Sequence, residues 1–166
     1  MVKGLRHTGQ APPLTSDEIE AVLTENHYAR ICTHNPDGTI HAAPVAYRYI
    51  NGQLLMMSLI KSRKTRNLER NNDITVLVDT PNPIRGIFIY GVAEIDYDNI
   101  YEQVFTINET SPSFQRMPRE KLERITKTYT DTWKSVILKV TPRHIITFDY
   151  AKDEAWNNFL KTYLHE

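Results

Sequence analysis

The chain has 166 residues, 40% hydrophobic and 24% charged, enough to close one sizeable core and too few for two, so a single domain over 1–166 is expected. Twenty Lys and Arg balance twenty Asp and Glu, which excludes a surface built as a whole for polyanions or membranes; any basic site must be local. No apolar stretch has the length of a membrane span, the opening MVKGLRHTGQ lacks the apolar segment of a secretory signal, and the lone Cys32 permits no internal disulfide, so a cytoplasmic protein stabilised by packing or by a partner subunit is expected.

Residues 1–13 end in Ala-Pro-Pro and carry little apolar period, which suits an extended N-terminal arm. In 14–27, Thr15 or Ser16 caps a short helix with Asp17, Glu18 and Glu20 in its first turn and Ile19, Val22 and Leu23 as its apolar stripe, a lid for whatever follows. Then come YARICT, the turn NPDG, TIHAAPVAYRY, the turn Asn51-Gly52 and QLLMMSLI, three strands of a meander. A charged helical interval leads to the strands ITVLVD and GIFIYGVAEID, parted by the breaker TPNP. Helical spacing returns in 101–109 and 119–133, the latter with Leu122, Ile125 and Tyr129 on one face. SVILKV and HIITFDY read as one long strand bent at Thr141-Pro142, and 153–164 as a last helix. Six strands joined by short turns, without alternating helical crossovers, favour an antiparallel barrel over a parallel sheet.

The segment 61–70, KSRKTRNLER, sets Lys61, Arg63, Lys64, Arg66 and Arg70 against Glu69 alone. Ser62 stands where a helix N-cap belongs, so the first backbone N–H groups of that helix are unspent. Cations in a first turn oppose the helix dipole, and a bound anion removes the conflict. A phosphate pocket is one reading; a solvated basic helix face is the other. In TIHAAPVAYRY the period of two puts Ala42, Pro44 and Ala46 on one face and Ala43, Val45, Tyr47 and Tyr49 on the other. The first face is nearly bare, and Pro44 removes a ladder donor, which marks an edge or bulge. Such a face admits a flat ring against the backbone, or accommodates a packed helix.

Other chemistry is sparse. The histidines include no helical pair four apart, and Cys32 with His34 offers two ligands at most, so no metal site is expected. His41 reads as a surface strand residue before one that reaches a substrate, Tyr47, Tyr49 and Tyr90 as packing aromatics before proton donors, and Trp133 and Trp156 as core before covers of a bound ring or a dimer seam. The basic segment lacks interleaved aromatics for stacking bases, so no nucleic-acid partner is expected.

The order NPDGTIHAAPVAYRY, INGQLLMMSLIKSRKTRNLERNNDITVLVD, GIFIYGVAEID resembles the FMN-binding split-barrel superfamily, whose best-known member is pyridoxamine phosphate oxidase. The likeness covers about 14–96, and SLIKSRKTRNLERN is its most specific part. It implies a mainly β fold, a six-stranded antiparallel split β-barrel of Greek-key type with peripheral helices. It further implies an FMN phosphate held at Ser62, Arg63 and Lys64, with Lys61 beside them. The ring would lie against Pro44, Val45 and Ala46 and against Met57, Ser58 and Leu59, with Ser58 tuning its potential, in a groove completed by a second subunit of a homodimer. The chain ends in WNNFLKTYLHE without the Arg-x-His substrate motif of the true oxidase, and Gly86 after Arg85 stands where the oxidase has a glutamine. The resemblance therefore implies the wider oxidase-related branch: an FMN-dependent oxidoreductase acting on a small molecule other than pyridoxamine phosphate. A deazaflavin-dependent reductase, and a flavin or haem carrier or sensor without turnover, are the alternatives. No catalytic side chain is assigned.

Overall fold

The computed structural model describes residues 11–163. Six antiparallel strands close a barrel in the order β1-β2-β3-β6-β5-β4, with β1 Tyr28–His34, β2 Ile40–Ile50, β3 Gln53–Leu59, β4 Asp73–Pro81, β5 Ile84–Asp96 and β6 Ser135–Asp149. β1, β2 and β3 form one meander and β4, β5 and β6 another. The chain crosses between them through helix α2, Arg63–Arg70, so that β4 returns to β1 and β6 closes on β3. The β2–β3 turn holds Asn51 and Gly52 at φ 51° and 77°, the pair of positive angles that a two-residue hairpin needs and that Asn-Gly supplies cheaply.

Alternation fills the barrel. Ile31, Tyr47, Met56, Val76, Ile87, Ile89 and Leu138 are buried inside it. Helix α1, Ser16–Glu25, is opened by a capping box between Thr15 and Glu18; it adds Val22 and Leu23 to this core and accepts a hydrogen bond from Tyr47 Oη at the Leu23 carbonyl, 2.9 Å. The expected lid is thus fastened by the one polar atom of a buried ring. Helix α3, Ile100–Glu109, covers β3 and β6 with Val104 and Ile107 packed near Ile137, Leu55 and Met57.

Several expectations need amendment. Helix α4, Arg119–Lys127, ends before Trp133 and is followed by one wide turn over Thr128–Thr132. Thr128 and Thr130 turn their hydroxyls back onto the Arg124 and Lys127 carbonyls, and Lys134 takes φ 54°; β-branched residues bonding back to the helix loosen its hydrogen-bond ladder. Trp133 is not core: it is 50% exposed, edge-on to Tyr129 at 4.8 Å. Tyr90 is likewise exposed. The bend in β6 takes the form of a register shift opposite Tyr90 and Gly91. Of the expected arm, 1–10 lie outside the described residues, while Pro12 accepts from the Asp149 N–H at 2.8 Å and Leu14 N–H donates to Thr147 Oγ1 at 2.9 Å. Helix α5, Glu154–Tyr163, is the last described element. Among the described residues no helix is long and apolar enough to cross a membrane.

Candidate functional site

The barrel is closed, yet two of its strands part. β2 pairs with β1 over Ile40–Ala46 but with β3 only over Tyr47–Ile50, and the β2–β3 ladder stops at the pair Tyr47–Met56. Extending that register sets Ala46 opposite Met57, Val45 opposite Ser58 and Pro44 opposite Leu59. The six expected ring-contact residues thus lie on the segments of β2 and β3 that flank this parting, the candidate cleft. Two causes are visible, one local and one distant. Pro44 has no N–H to continue the ladder, and β3 is drawn toward β6, which it pairs with through Leu59 and beyond which Ile60 N–H donates to the Lys134 carbonyl at 3.0 Å.

Side-chain direction divides the six. Ala42 and Pro44 are exposed and Ala46 half-buried on the outer face of β2, as the bare-face reading expects, while Val45 turns into the core and offers the cleft only its backbone. Met57 packs under α3, and Leu59 is exposed. Ser58 is buried, and its hydroxyl serves the start of α2 instead of the ring: Ser58 Oγ lies 3.0 Å from Ser62 Oγ and 2.8 Å from Thr65 Oγ1, which are themselves 2.9 Å apart. Thr65 closes the cluster by donating its N–H to Ser62 Oγ at 3.3 Å and its hydroxyl to the Leu59 carbonyl at 2.9 Å.

Ser62 is the N-cap of α2, with extended φ −70° and ψ 154°, and the first turn that follows holds no acidic residue. Among the described residues no acceptor meets the N–H groups of Arg63 and Lys64, and neither side chain has an ion pair. Lys64 is half-buried, and the loss of solvent pushes its ammonium below the usual lysine range. A half-desolvated cation without a counter-charge, beside free N–H donors and a hydroxyl cluster, fits a phosphate group. Lys61 and Arg63 are exposed at the rim.

From this corner a groove of about 510 Å³ runs between the β1–β2 turn and α2, with Arg63, Arg66 and Arg70 along one wall and Asp37 on the other. The Asp37 carboxyl sits below its ordinary range because Thr39 donates to it and because Arg63 is near. Asn67, buried mid-helix, anchors the wall by donating to Thr33 Oγ1 at 3.1 Å and Asn35 Oδ1 at 3.0 Å. Thr65 and Asn67 are the residues that sequence reading misses. A Thr three places after a Ser cap is a usable signal for the first; nothing local marks the second. At Gly86 a Cβ would stand 2.7 Å from the Phe148 ring, so without a shift of that ring no side chain takes the place of the oxidase's glutamine. No group of three or more His, Cys, Asp or Glu able to hold a metal occurs among the described residues.

Comparison with known proteins agrees with this architecture. A conserved hypothetical protein of Mycobacterium tuberculosis superposes with a TM-score of 0.72 at 22% identity, covering 84% of this chain and 87% of its own. An F420 reductase gives 0.57 at 22% identity over 76% of this chain and 94% of its own. A pyridoxamine 5'-phosphate oxidase-related, FMN binding protein of Nostoc punctiforme gives 0.58 at 12% identity over 82% and 84%. At these identities the likeness is one of fold. No curated protein matches. The model of the pyridoxamine 5'-phosphate oxidase family, however, matches residues 15–149, the whole stretch from the lid helix to the end of the barrel, and the chain belongs to that family.

Proposed function

We propose that the protein binds FMN, with the phosphate at Ser62, Arg63 and Lys64 and the ring in the cleft between β2 and β3, and acts as an oxidoreductase on a small molecule. The observation that carries this reading is the uncompensated, half-buried Lys64 at a capped helix start with free N–H donors, which follows directly on the end of β3 whose pairing with β2 has lapsed. A bound flavin would supply hydride transfer at its ring. The chain's own part is to neutralise the phosphate, to press the ring against the small residues Pro44 and Ala46, and to exclude water. In titrations followed by quenching of flavin fluorescence, Arg63→Ala with Lys64→Ala is expected to weaken FMN binding at least about a hundredfold, two charge-assisted hydrogen bonds of about 1.5 kcal/mol each, with the circular-dichroism spectrum retained. Undiminished binding contradicts the reading. Bleaching of the bound flavin by a reduced nicotinamide separates an enzyme from a carrier.

A second copy completes the site in this proposal. Two lateral rows cross the outer barrel face: Pro44, Arg30, Leu77, Phe88 and Ile146, and Ala42, Cys32, Thr75, Tyr90 and His144. They begin at the cleft and end in exposed Ile146 and the Tyr90–His144 stack, a face of mixed character that also carries the exposed Arg30–Asp79 ion pair. A deazaflavin is the second reading, favoured by the arginine groove, which offers an anionic tail the cations that FMN does not use. Arg66→Ala with Arg70→Ala is expected to leave FMN affinity within about twofold, and to lower deazaflavin affinity by more than about tenfold if that reading holds.

A further inference from the structure

Trp133 is held firmly in place and yet left open to water. It follows the wide turn Thr128–Thr132, its N–H donating to the Thr128 carbonyl at 3.1 Å, and Lys134 after it takes φ 54°, a left-handed angle that residues other than glycine resist. Ser135 Oγ donates to the Tyr129 carbonyl at 3.0 Å and so fastens the turn to β6. The Tyr129 ring meets the indole edge-on and itself packs against Val104, Ile107 and Ile137. Burial of a large ring ordinarily offsets strain of this kind, but half of the indole is exposed. Wide turns on helices and strained backbone angles gather at functional sites. The β3–β6 register shows what Trp133 stands beside. Leu59 pairs with Ser135, and the Ile60 N–H reaches the Lys134 carbonyl at 3.0 Å. One further step sets Trp133 beside Lys61, immediately before the α2 cap Ser62. Leu59 and Ile60 are exposed as well, so three open apolar side chains stand together where β3 runs into the proposed phosphate corner.

We propose that Trp133 is a wall of the flavin site, its indole lying against the flat ring of the cofactor at the end of β3. The inference deepens the flavin reading and rests on it: Ser62, Arg63 and Lys64 hold the phosphate, and Trp133 recognises the ring. Because the turn is fixed before anything binds, little ordering of the indole opposes the contact.

Equilibrium dialysis of the full chain against FMN and, separately, against riboflavin, which has the ring without the phosphate, tests it. Trp133→Ala is expected to weaken both by the same factor, about tenfold or more, the scale on which a flat ring stacks on an aromatic side chain. Trp133→Phe keeps a ring and is expected to bind both within about threefold of the wild type. Arg63→Ala with Lys64→Ala is expected to weaken FMN while leaving riboflavin within about twofold. Bound riboflavin is expected to fluoresce more strongly in Trp133→Phe, because an excited flavin in contact with an indole takes an electron from it and is quenched, the electron returning afterwards. Undiminished binding of either flavin in Trp133→Ala, or unchanged emission in Trp133→Phe, overturns the role of Trp133; the flavin reading stands in that case if FMN binding still depends on Arg63 and Lys64. Lost affinity in Trp133→Ala that comes with a fall in mass by light scattering assigns the indole to a subunit seam and overturns the ring contact as well. Should Trp133→Ala fail to fold, the emission of Trp133→Phe carries the comparison. A wild type that takes up neither flavin refutes the flavin reading and this inference with it.

Discussion

Ser62 serves two ends with one oxygen: it accepts the Thr65 N–H as the cap of α2 and joins the hydroxyl cluster at the proposed phosphate corner. Ser62→Ala is therefore expected to lower stability by about 1 kcal/mol, read from urea unfolding, and to weaken FMN binding as well, whereas a residue that only caps would move the first quantity alone. Ser62, Arg63 and Lys64 are legible in the sequence because a cap and a charge in a first turn are local signals. Thr65 is legible in part, as a Thr three places after a cap, although its bond to Ser58 at the end of β3 is not; Asn67 is not legible, because it is defined by Thr33, which a distant strand sets beside it. Ser58 shows the converse. Its place in the chain is beside the proposed cleft, but the pleat aims its hydroxyl at the helix.

Among the elements, the six strands follow from alternation and from turn residues such as Asn51-Gly52, whose angles few other pairs adopt. The cleft is legible only as far as Pro44; that β2 and β3 part at Tyr47–Met56 depends on β6 drawing β3 away, which no local pattern encodes. The β5–β6 register shift is similar. Pro142 announces an irregularity, but its partner is Gly91, where a Cβ would stand 2.2 Å from the Thr141 carbonyl oxygen. Gly91→Ala must push backbone from backbone, and a loss of about 1–3 kcal/mol is expected in chemical unfolding. The wide turn after α4 escapes sequence reading because Leu122, Ile125 and Tyr129 keep a helical spacing while the intervening threonines undo the ladder.

At the scale of the molecule, peripheral pieces are pinned to the barrel by two carboxylates. Glu18 of α1 is held at about 2, chiefly by the hydrogen bond from Lys152 and next by the Thr15 N–H. Asp96 at the end of β5 is held at about 2, chiefly by Lys139 and next by the Asp98 N–H, and also takes Gln103 of α3 at 2.9 Å. Both folded values lie below the ordinary 4.5 and 3.8. Their contribution is thus complete above those ordinary values and lost as pH falls toward about 2. Glu18→Gln with Asp96→Asn is expected to flatten the dependence of the melting temperature on pH across that window and leave its slope near neutrality unchanged. The exposed face from Pro44 to Ile146 predicts a dimer in light scattering, and Ile146→Glu with Tyr90→Glu is expected to yield a monomer with weakened FMN binding.

A crystal structure of the full chain grown with excess FMN addresses the central claim most directly. The phosphate is expected within hydrogen-bond reach of Ser62 Oγ, the Arg63 and Lys64 N–H groups and the Lys64 ammonium, with the ring between Pro44–Ala46 and Met57–Leu59. Density for the flavin elsewhere, or a side chain of the protein occupying that corner in its place, contradicts it.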